Sequence, residues 1–183
     1  MKKSVKIKDK QFELYLSQNV IESRINEIAR QINEDYKNKK PVFISILNGS
    51  FFFTADLIKQ ITLDCEVSFV KLASYKGLHS NGKVKIMVGL MKSLKNRDVI
   101  IIEDIIDSGR TMKEMLQLLE GQKPSSIRVI TLLIKRSCMV EPVEPNYIGF
   151  EVDDRFLVGY GLDYDELGRN LPDLYINKEP NSE

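Results

Sequence analysis

Three acidic residues lie close together near the middle of the chain. Glu103 and Asp104 follow Val99–Ile102, an apolar β-branched run that predicts a strand buried on both faces of a parallel sheet. Asp107 comes three positions later, and Ser108–Thr111 then opens into a helical pattern. Acids this close together at the end of a buried strand are costly unless they are paired or used. We therefore expect this stretch to carry chemistry.

The loop after Asp107 favours an anion. Ser108, Gly109 and Thr111 are small or hydroxylated, so backbone N–H groups can approach a ligand closely. The helix that follows adds unpaired N–H donors and the positive end of its dipole, successive amides can form a nest for a phosphate, and Arg110 adds a positive charge. Because the nearby carboxylates would repel a bare phosphate, the mixture suits a ligand such as a ribose 5-phosphate, whose hydroxyls accompany its phosphate.

Three other interpretations compete for this stretch. The first is a buried strand and a capped helix, in which Asp107 or Ser108 is only the cap. The second is the magnesium-binding strand of a P-loop nucleotide hydrolase, which requires an upstream G-x-x-x-x-G-K-S/T loop that the sequence lacks. The third is the phosphoacceptor aspartate of a signalling receiver domain, which requires an acidic pair on an earlier strand that we do not find.

The elements that must position these residues alternate along the chain. Apolar residues at helical spacing predict a helix that begins at Ser17 or Gln18, and further helices follow the first buried strand and the loop at Asp107–Thr111. The predicted strands are Val42–Leu47, Glu66–Leu72, Val84–Val88, Val99–Ile102, Ser126–Ile134 and Tyr147–Val152, with a short strand or extended arm at Lys2–Leu14 and a last strand at Leu171–Asn177. This alternation predicts an α/β fold with a mainly parallel twisted sheet.

Composition indicates one globular domain, residues 1–183. Hydrophobic residues make up 43% and charged residues 29%, and the formal net charge of +1 gives no indication of a nucleic-acid or membrane partner. Two distant cysteines, Cys65 and Cys138, and a single histidine make no zinc pattern. The sequence shows neither a signal peptide nor a segment that could span a bilayer, so we expect a cytoplasmic protein.

The stretch Glu103–Thr111 strongly resembles the signature of type I phosphoribosyltransferases, which use 5-phosphoribosyl-1-pyrophosphate (PRPP). Its sequence, Glu-Asp-Ile-Ile-Asp-Ser-Gly-Arg-Thr, is very close to the form in hypoxanthine-guanine phosphoribosyltransferases. Matching motifs at separated places in the expected order extend the resemblance over nearly the whole chain. One departure is Asn48-Gly49, where many members have Lys-Gly in a loop that often contains a strained or cis peptide.

The resemblance implies both a fold and an activity. The fold is a five-stranded core with a flexible lid hairpin and a small hood formed mainly by the N-terminal arm and residues 147–183. The activity is purine salvage: 5-phosphoribosyl is transferred from PRPP to N9 of hypoxanthine or guanine, giving IMP or GMP plus pyrophosphate, with Mg²⁺ as cofactor. Members are commonly dimeric or tetrameric, so we expect a homodimer or homotetramer.

The resemblance also implies roles for the matching residues. Asp107 matches the general base, which acts at N7 of the purine. The matches to PRPP and phosphate contacts are Glu103, Asp104, Ser108, Gly109, Arg110, Thr111, Asn48, Gly49 and Arg169. Ser74 and Tyr75 match the pair in the lid. In the purine site, Lys135 matches the ligand of the 6-oxygen, Phe156 the stacking ring, Leu157 the residue whose backbone reads the base edge, and Asp163 the magnesium ligand near the pyrophosphate. Glu103 and Asp104 would hold the ribose hydroxyls and share in metal binding.

Hydrogen-bond polarity predicts which purines are accepted. A lysine such as Lys135 has only donors, so it suits an oxygen at position 6, whereas the amino group of adenine would leave both sides unpaired. Xanthine differs from guanine at position 2, and the sequence does not decide whether it is used. An enzyme of this class for another base, such as xanthine, is therefore one alternative.

The other alternative is an RNA-binding regulator on the same fold, of the pyrimidine-operon attenuator type. Such a regulator would need a basic face and should lack the set of Lys135, Phe156 and Asp163.

Overall fold

The computed structural model describes residues 3–74, 84–88 and 92–178. In chain order the elements are β1 (Ser4–Ile7), β2 (Lys10–Leu16), α1 (Gln18–Asp35), β3 (Val42–Leu47), α2 (Phe51–Lys59), β4 (Glu66–Ser74), β5 (Val84–Val88), β6 (Asp98–Ile106), α3 (Arg110–Glu120), β7 (Ser126–Ile134), β8 (Tyr147–Glu151), β9 (Leu157–Val158) and β10 (Leu174–Asn177). Strands and helices therefore alternate through the middle of the chain, as the sequence predicts.

The larger sheet has the strand order β5-β4-β3-β6-β7-β8. The neighbouring strands β4, β3, β6, β7 and β8 are all parallel. Strand β5 pairs with β4 in the antiparallel direction at one edge of the sheet. Alternate residues of the central strand β6 point to opposite faces: Ile100 and Ile102 pack with α1 and α2, whereas Val99 and Ile101 pack with α3. Because helices cover both faces, the strand needs an unbroken apolar run. The predicted α/β fold is confirmed.

The smaller sheet joins the two ends of the chain. Its four strands lie in the order β1-β2-β10-β9 and are antiparallel. This sheet fits the predicted hood. Strand β8, which the prediction placed in the hood with the rest of residues 147–183, instead pairs with β7 in the larger sheet, so the C-terminal strands of the small sheet begin at Leu157.

The carboxyl ends of the parallel strands bring distant residues to one edge of the sheet. Asn48 follows β3, Asp107 follows β6, Lys135 follows β7 and Asp154 lies in the loop after β8. Because these four strands are neighbours in this order, their loops are neighbours too, which is where ligands bind in open α/β sheets.

The predicted lid falls mostly outside the described residues. Ser74 is the last residue of β4, which pairs with β5 as the predicted hairpin requires, but Tyr75 lies outside the described ranges. The lid therefore stays a prediction. Among residues 3–74, 84–88 and 92–178, no helix is both long and apolar enough to cross a membrane.

Candidate active site

The acidic stretch is more regular than the sequence suggests. Strand β6 continues through Glu103 and Asp104 to Ile106, because Ile105 and Ile106 keep their pairing with Leu133 and Ile134 of β7. The two acids are therefore part of the strand and not of a loop beyond it. Regular backbone pairing holds them more rigidly than a loop would.

A small cavity lies where β6 passes into α3. Its volume is about 90 Å³, and it is lined by Glu103, Ile105, Ile106, Asp107, Ser108, Gly109, Thr111 and Met112. The helix has Gly109 as its N-cap, at φ +77°, and no side chain caps its first turn. Neither Asp107 nor Ser108 is therefore a cap, and the amides of the turn are available to an anion. Arg110 is exposed and does not line this cavity.

The loop is fixed from behind by the segment at Val140 and Glu141. The backbone N–H groups of these two residues both donate to the carbonyl oxygen of Ser108, at 3.0 Å. A Cβ atom on Gly109 would overlap the carbonyl oxygen of Glu141. Glycine is thus required here both for its positive φ and for this close packing.

Glu103 lies in an unfavourable environment for a carboxylate. Only 7% of Glu103 is exposed, and the next residue in the chain, Asp104, is also acidic. Burial, followed by the negative charge of Asp104, raises the pKa of Glu103 well above its ordinary value. A buried acid that costs stability in this way is typical of a functional site.

Gly49 brings the loop after β3 onto the acids. The Leu47–Asn48 peptide bond is cis, Asn48 is exposed and Gly49 is buried. A Cβ on Gly49 would overlap the carboxylate of Asp104, and a Cβ on Gly161 would overlap the carbonyl oxygen of Gly49. These contacts join three segments that lie far apart in the sequence.

Arg169 and Asp163 extend the same cluster. Arg169 donates to the carbonyl oxygen of Gly161 at 3.0 Å, and its Nη2 lies 2.7 Å from Oδ1 of Asp163. The other oxygen of Asp163 accepts a hydrogen bond from the backbone N–H of Glu166 at 2.8 Å. Asp163 is therefore held in one orientation beside Gly161, which packs on Gly49 and so connects it to Asp104.

Lys135 is buried between two carboxylates. Its Nζ lies 3.4 Å from Oδ2 of Asp107 and 3.3 Å from Oδ1 of Asp154, and only 8% of its side chain is exposed, against 52% and 58% for the two acids. Hydrogen bonds from Cys138 and then from Lys135 lower the pKa of Asp154. The sequence predicted Lys135 and Asp107 but missed Asp154. Asp154 could have been found from its position, because it follows a predicted strand that neighbours the strand before Lys135.

The aromatic residue of the predicted purine site lies at the junction with the small sheet. Phe156 is half-buried, with its ring centroid 6.4 Å from that of Phe12 and 5.7 Å from that of Tyr164. Leu157 is buried in β9, the edge strand of the small sheet, so one edge of its backbone faces away from the strand's partner. Phe156 is two residues from Asp154, whose carboxylate lies 3.3 Å from the ammonium of Lys135, so the sheet brings the ring near Lys135 in space although the two are far apart in the sequence.

The described structure thus brings most of the predicted residues into connected groups. The cavity residues include Asp107, which pairs with Lys135, and the cluster around Gly49 contains Asp104, Asp163 and Arg169. Asn48 and Arg110 are exposed beside these groups, and Tyr75 is not described. Asp154 and Gly161 are the additions that the sequence did not indicate.

Glu103→Gln should stabilise the ligand-free protein. A carboxyl with a raised folded-state pKa binds its proton more tightly when folded, so stability falls as pH rises above the unfolded value of about 4.5. Glutamine is neutral throughout and removes this loss. We expect thermal melts to show a rise of roughly 2–4 °C for each kcal/mol relieved, and this rise should grow as the pH is raised above about 4.5. Glu120→Gln, on the exposed end of α3, is the control, and a gain that does not depend on pH would contradict the assignment.

Comparison with known proteins gives the family. A family model described as a phosphoribosyl transferase domain matches residues 13–165. The hypoxanthine-guanine phosphoribosyltransferase of Staphylococcus aureus is 41% identical over 161 residues, which cover 87% of this chain and 90% of that protein, and that of Staphylococcus epidermidis is 43% identical over 158 residues, with 86% and 88% covered. The crystal structure of a Staphylococcus aureus hypoxanthine phosphoribosyltransferase has a TM-score of 0.86 at 40% identity and covers 91% of each chain. The chain therefore belongs to the phosphoribosyltransferase family and, within it, to the hypoxanthine-guanine phosphoribosyltransferases.

Proposed function

We propose that this chain is a purine salvage enzyme that transfers 5-phosphoribosyl from PRPP to N9 of hypoxanthine or guanine, giving IMP or GMP plus pyrophosphate. One observation carries the proposal: Asp107 both lines the anion cavity and lies 3.4 Å from the buried ammonium of Lys135. A ligand with its phosphate in the cavity and its base at Lys135 would place Asp107 beside the base. That is where a general base for the purine is needed.

Different groups around the cavity would bind different parts of PRPP. The amides of Ser108, Gly109 and Thr111 suit the 5-phosphate, and Arg110 at the start of α3 adds positive charge. Glu103 and Asp104 suit the ribose hydroxyls, which can donate to carboxyl oxygens. The loop of Asn48 and Gly49, together with Arg169, would hold the pyrophosphate through backbone amides and a guanidinium.

Magnesium fits the oxygen ligands of this site. Mg²⁺ is usually held by one or two carboxylates together with substrate phosphates and water, and Asp163 is the principal candidate, with Glu103 and Asp104 nearby. Among the described residues, no group of three or more acid, histidine or cysteine side chains is placed to hold a metal, and oxygens of the substrate and of water would complete the coordination. When bound, the ion would neutralise charge on the departing pyrophosphate.

The protein has two further tasks as the glycosidic bond forms. The sugar becomes cationic at C1 while pyrophosphate leaves, and the negative charge that Asp104 and the adjacent Glu103 share favours that positive charge. Asp107 accepts the proton that the purine loses at N7 as N9 attacks. The predicted lid residues Ser74 and Tyr75 would keep water away from the reactive sugar.

The purine site selects its base by hydrogen-bond polarity. Lys135 donates to an oxygen at position 6, Phe156 stacks on the ring and the outer backbone edge at Leu157 reads the rest of the base. A cytoplasmic location, without a nucleic-acid or membrane partner, stays a prediction from composition and from the lack of a signal peptide. A homodimeric or homotetrameric assembly stays a prediction of the resemblance.

Supplying PRPP and Mg²⁺ with each of four bases tests the proposed function. We expect nucleotide formation from hypoxanthine and guanine and none from adenine, and xanthine turnover would only widen the specificity. Lys135→Ala should lower kcat/KM for guanine about a hundredfold, because a buried charged hydrogen bond is lost. Lys113→Ala, which breaks an exposed ion pair with Glu141, is the matched control.

Two outcomes would contradict this assignment. Unchanged guanine kinetics in Lys135→Ala would show that the 6-oxygen is not bound there. Failure to use any base, with PRPP still tightly bound, would favour the regulatory alternative, and RNA binding would then be measured.

Asp107→Asn should separate chemistry from binding. The amide keeps the shape of the side chain but cannot accept the purine proton, so we expect kcat to fall by about a hundred- to ten-thousand-fold. KM for PRPP should change little, because the cavity amides and the pyrophosphate contacts are intact. Steady-state kinetics with both substrates varied measure this, and equal losses in kcat and in PRPP affinity would rule out the assigned role.

A further inference from the structure

We infer that Asp154 is a positioning residue that orients the ammonium of Lys135 toward the 6-oxygen of the purine. The inference rests on the proposed function and adds a determinant of base recognition to it. Asp154 acts through Lys135 and is not itself proposed to touch the base. Three neighbouring strands carry the arrangement: Asp107 follows β6, Lys135 follows β7 and Asp154 follows β8.

Lys135 has two acidic partners at the protein surface. Its side chain is almost entirely buried, and the ion pairs that the described residues offer it are those with Asp107 and Asp154. A buried ammonium is costly unless it is paired. Both carboxylates are more than half exposed, so they meet the ammonium where it emerges from the protein into the crevice.

The geometry of an ammonium group decides how many partners are needed to orient it. It has three N–H donors in a fixed arrangement. A single carboxylate would fix one direction and leave the group free to rotate, whereas carboxylates on two sides fix two directions and therefore determine the third. The third N–H is then the one available to a substrate oxygen.

The two carboxylates hold the ammonium of Lys135 loosely. The separations of 3.4 Å and 3.3 Å are longer than the roughly 2.7–2.9 Å of a tight charge-assisted hydrogen bond. Lys135 is therefore shared between the two acids and tightly bound by neither. Without the charge of Asp154, it would move onto Asp107, which would misdirect its remaining donors and occupy the carboxylate that must serve as base.

The loop around Asp154 is built to keep it in place. Asp154 also accepts a hydrogen bond from the thiol of Cys138, which lies just beyond Lys135 in the chain. Phe156, the proposed stacking ring, is two residues further on. One short segment thus contains both the proposed stacking ring, Phe156, and the second carboxylate beside Lys135, Asp154.

Binding of IMP in two backgrounds tests the inference. We expect Asp154→Asn to weaken IMP about tenfold by calorimetry, the scale of one charge-assisted hydrogen bond, and to change it by less than about twofold in a Lys135→Ala background, because the coupling partner is gone. Asp154→Glu should restore part of the affinity. Asp153→Asn is the matched control, since this neighbouring acid makes no ion pair within the described ranges.

The outcomes separate this inference from the proposed function. Equal loss of IMP affinity in both backgrounds would overturn the inference, because Asp154 would then act without Lys135, and so would an Asp154→Asn variant with unchanged affinity. A lowered melting temperature together with failed rescue by Asp154→Glu would also overturn it, by indicating a merely structural role. Turnover of hypoxanthine by the unaltered protein decides the proposed function separately, and an unaltered protein that neither turns over hypoxanthine nor binds IMP would overturn both.

Discussion

A buried lysine at the end of an apolar strand is the constraint on which the rest of this site depends. Strand β7 is buried along most of its length, and Lys135 continues directly from it with its side chain almost entirely buried. Such a charge can be kept only if carboxylates lie beside it. The strand order supplies them, because β6 and β8 flank β7 and each is followed by an aspartate. Sheet topology therefore determines the electrostatics of the proposed purine site.

Glu103 and Asp104, at the cavity after β6, also lie where acidic residues lower the stability of the fold. Glu103 is buried next to Asp104, and nothing in the hydrophobic packing of β6 requires an acid at either position. A pair of apolar residues would stabilise the strand more, so acids at these positions are typical of a ligand site, where local stability is lower. Close packing of Gly49 against Asp104 and of Gly161 against Gly49 leaves no space for larger side chains.

Much of the fold and of the candidate site could be predicted from the sequence, and the features that were not predicted depend on contacts between distant parts of the chain. The apolar run Val99–Ile102 and the motif after it predicted the central strand and the anion loop, because local patterning governs both. The strand end was placed too early, since its continuation to Ile106 depends on pairing with β7. Asp154 and Gly161 were missed because their importance comes only from contacts with Lys135 and Gly49, far away in the chain. The roles of Lys135, Phe156 and Asp163 came from the family resemblance and not from local pattern.

A crystal structure of the protein with GMP and Mg²⁺ would test the central claim most directly, through the distance between Nζ of Lys135 and O6 of the base. We expect a hydrogen bond of about 2.7–3.2 Å between these two atoms, with the phosphate on the amides of Ser108–Thr111 and Asp107 beside N7. A base bound away from Lys135, or a phosphate outside the cavity after β6, would contradict it.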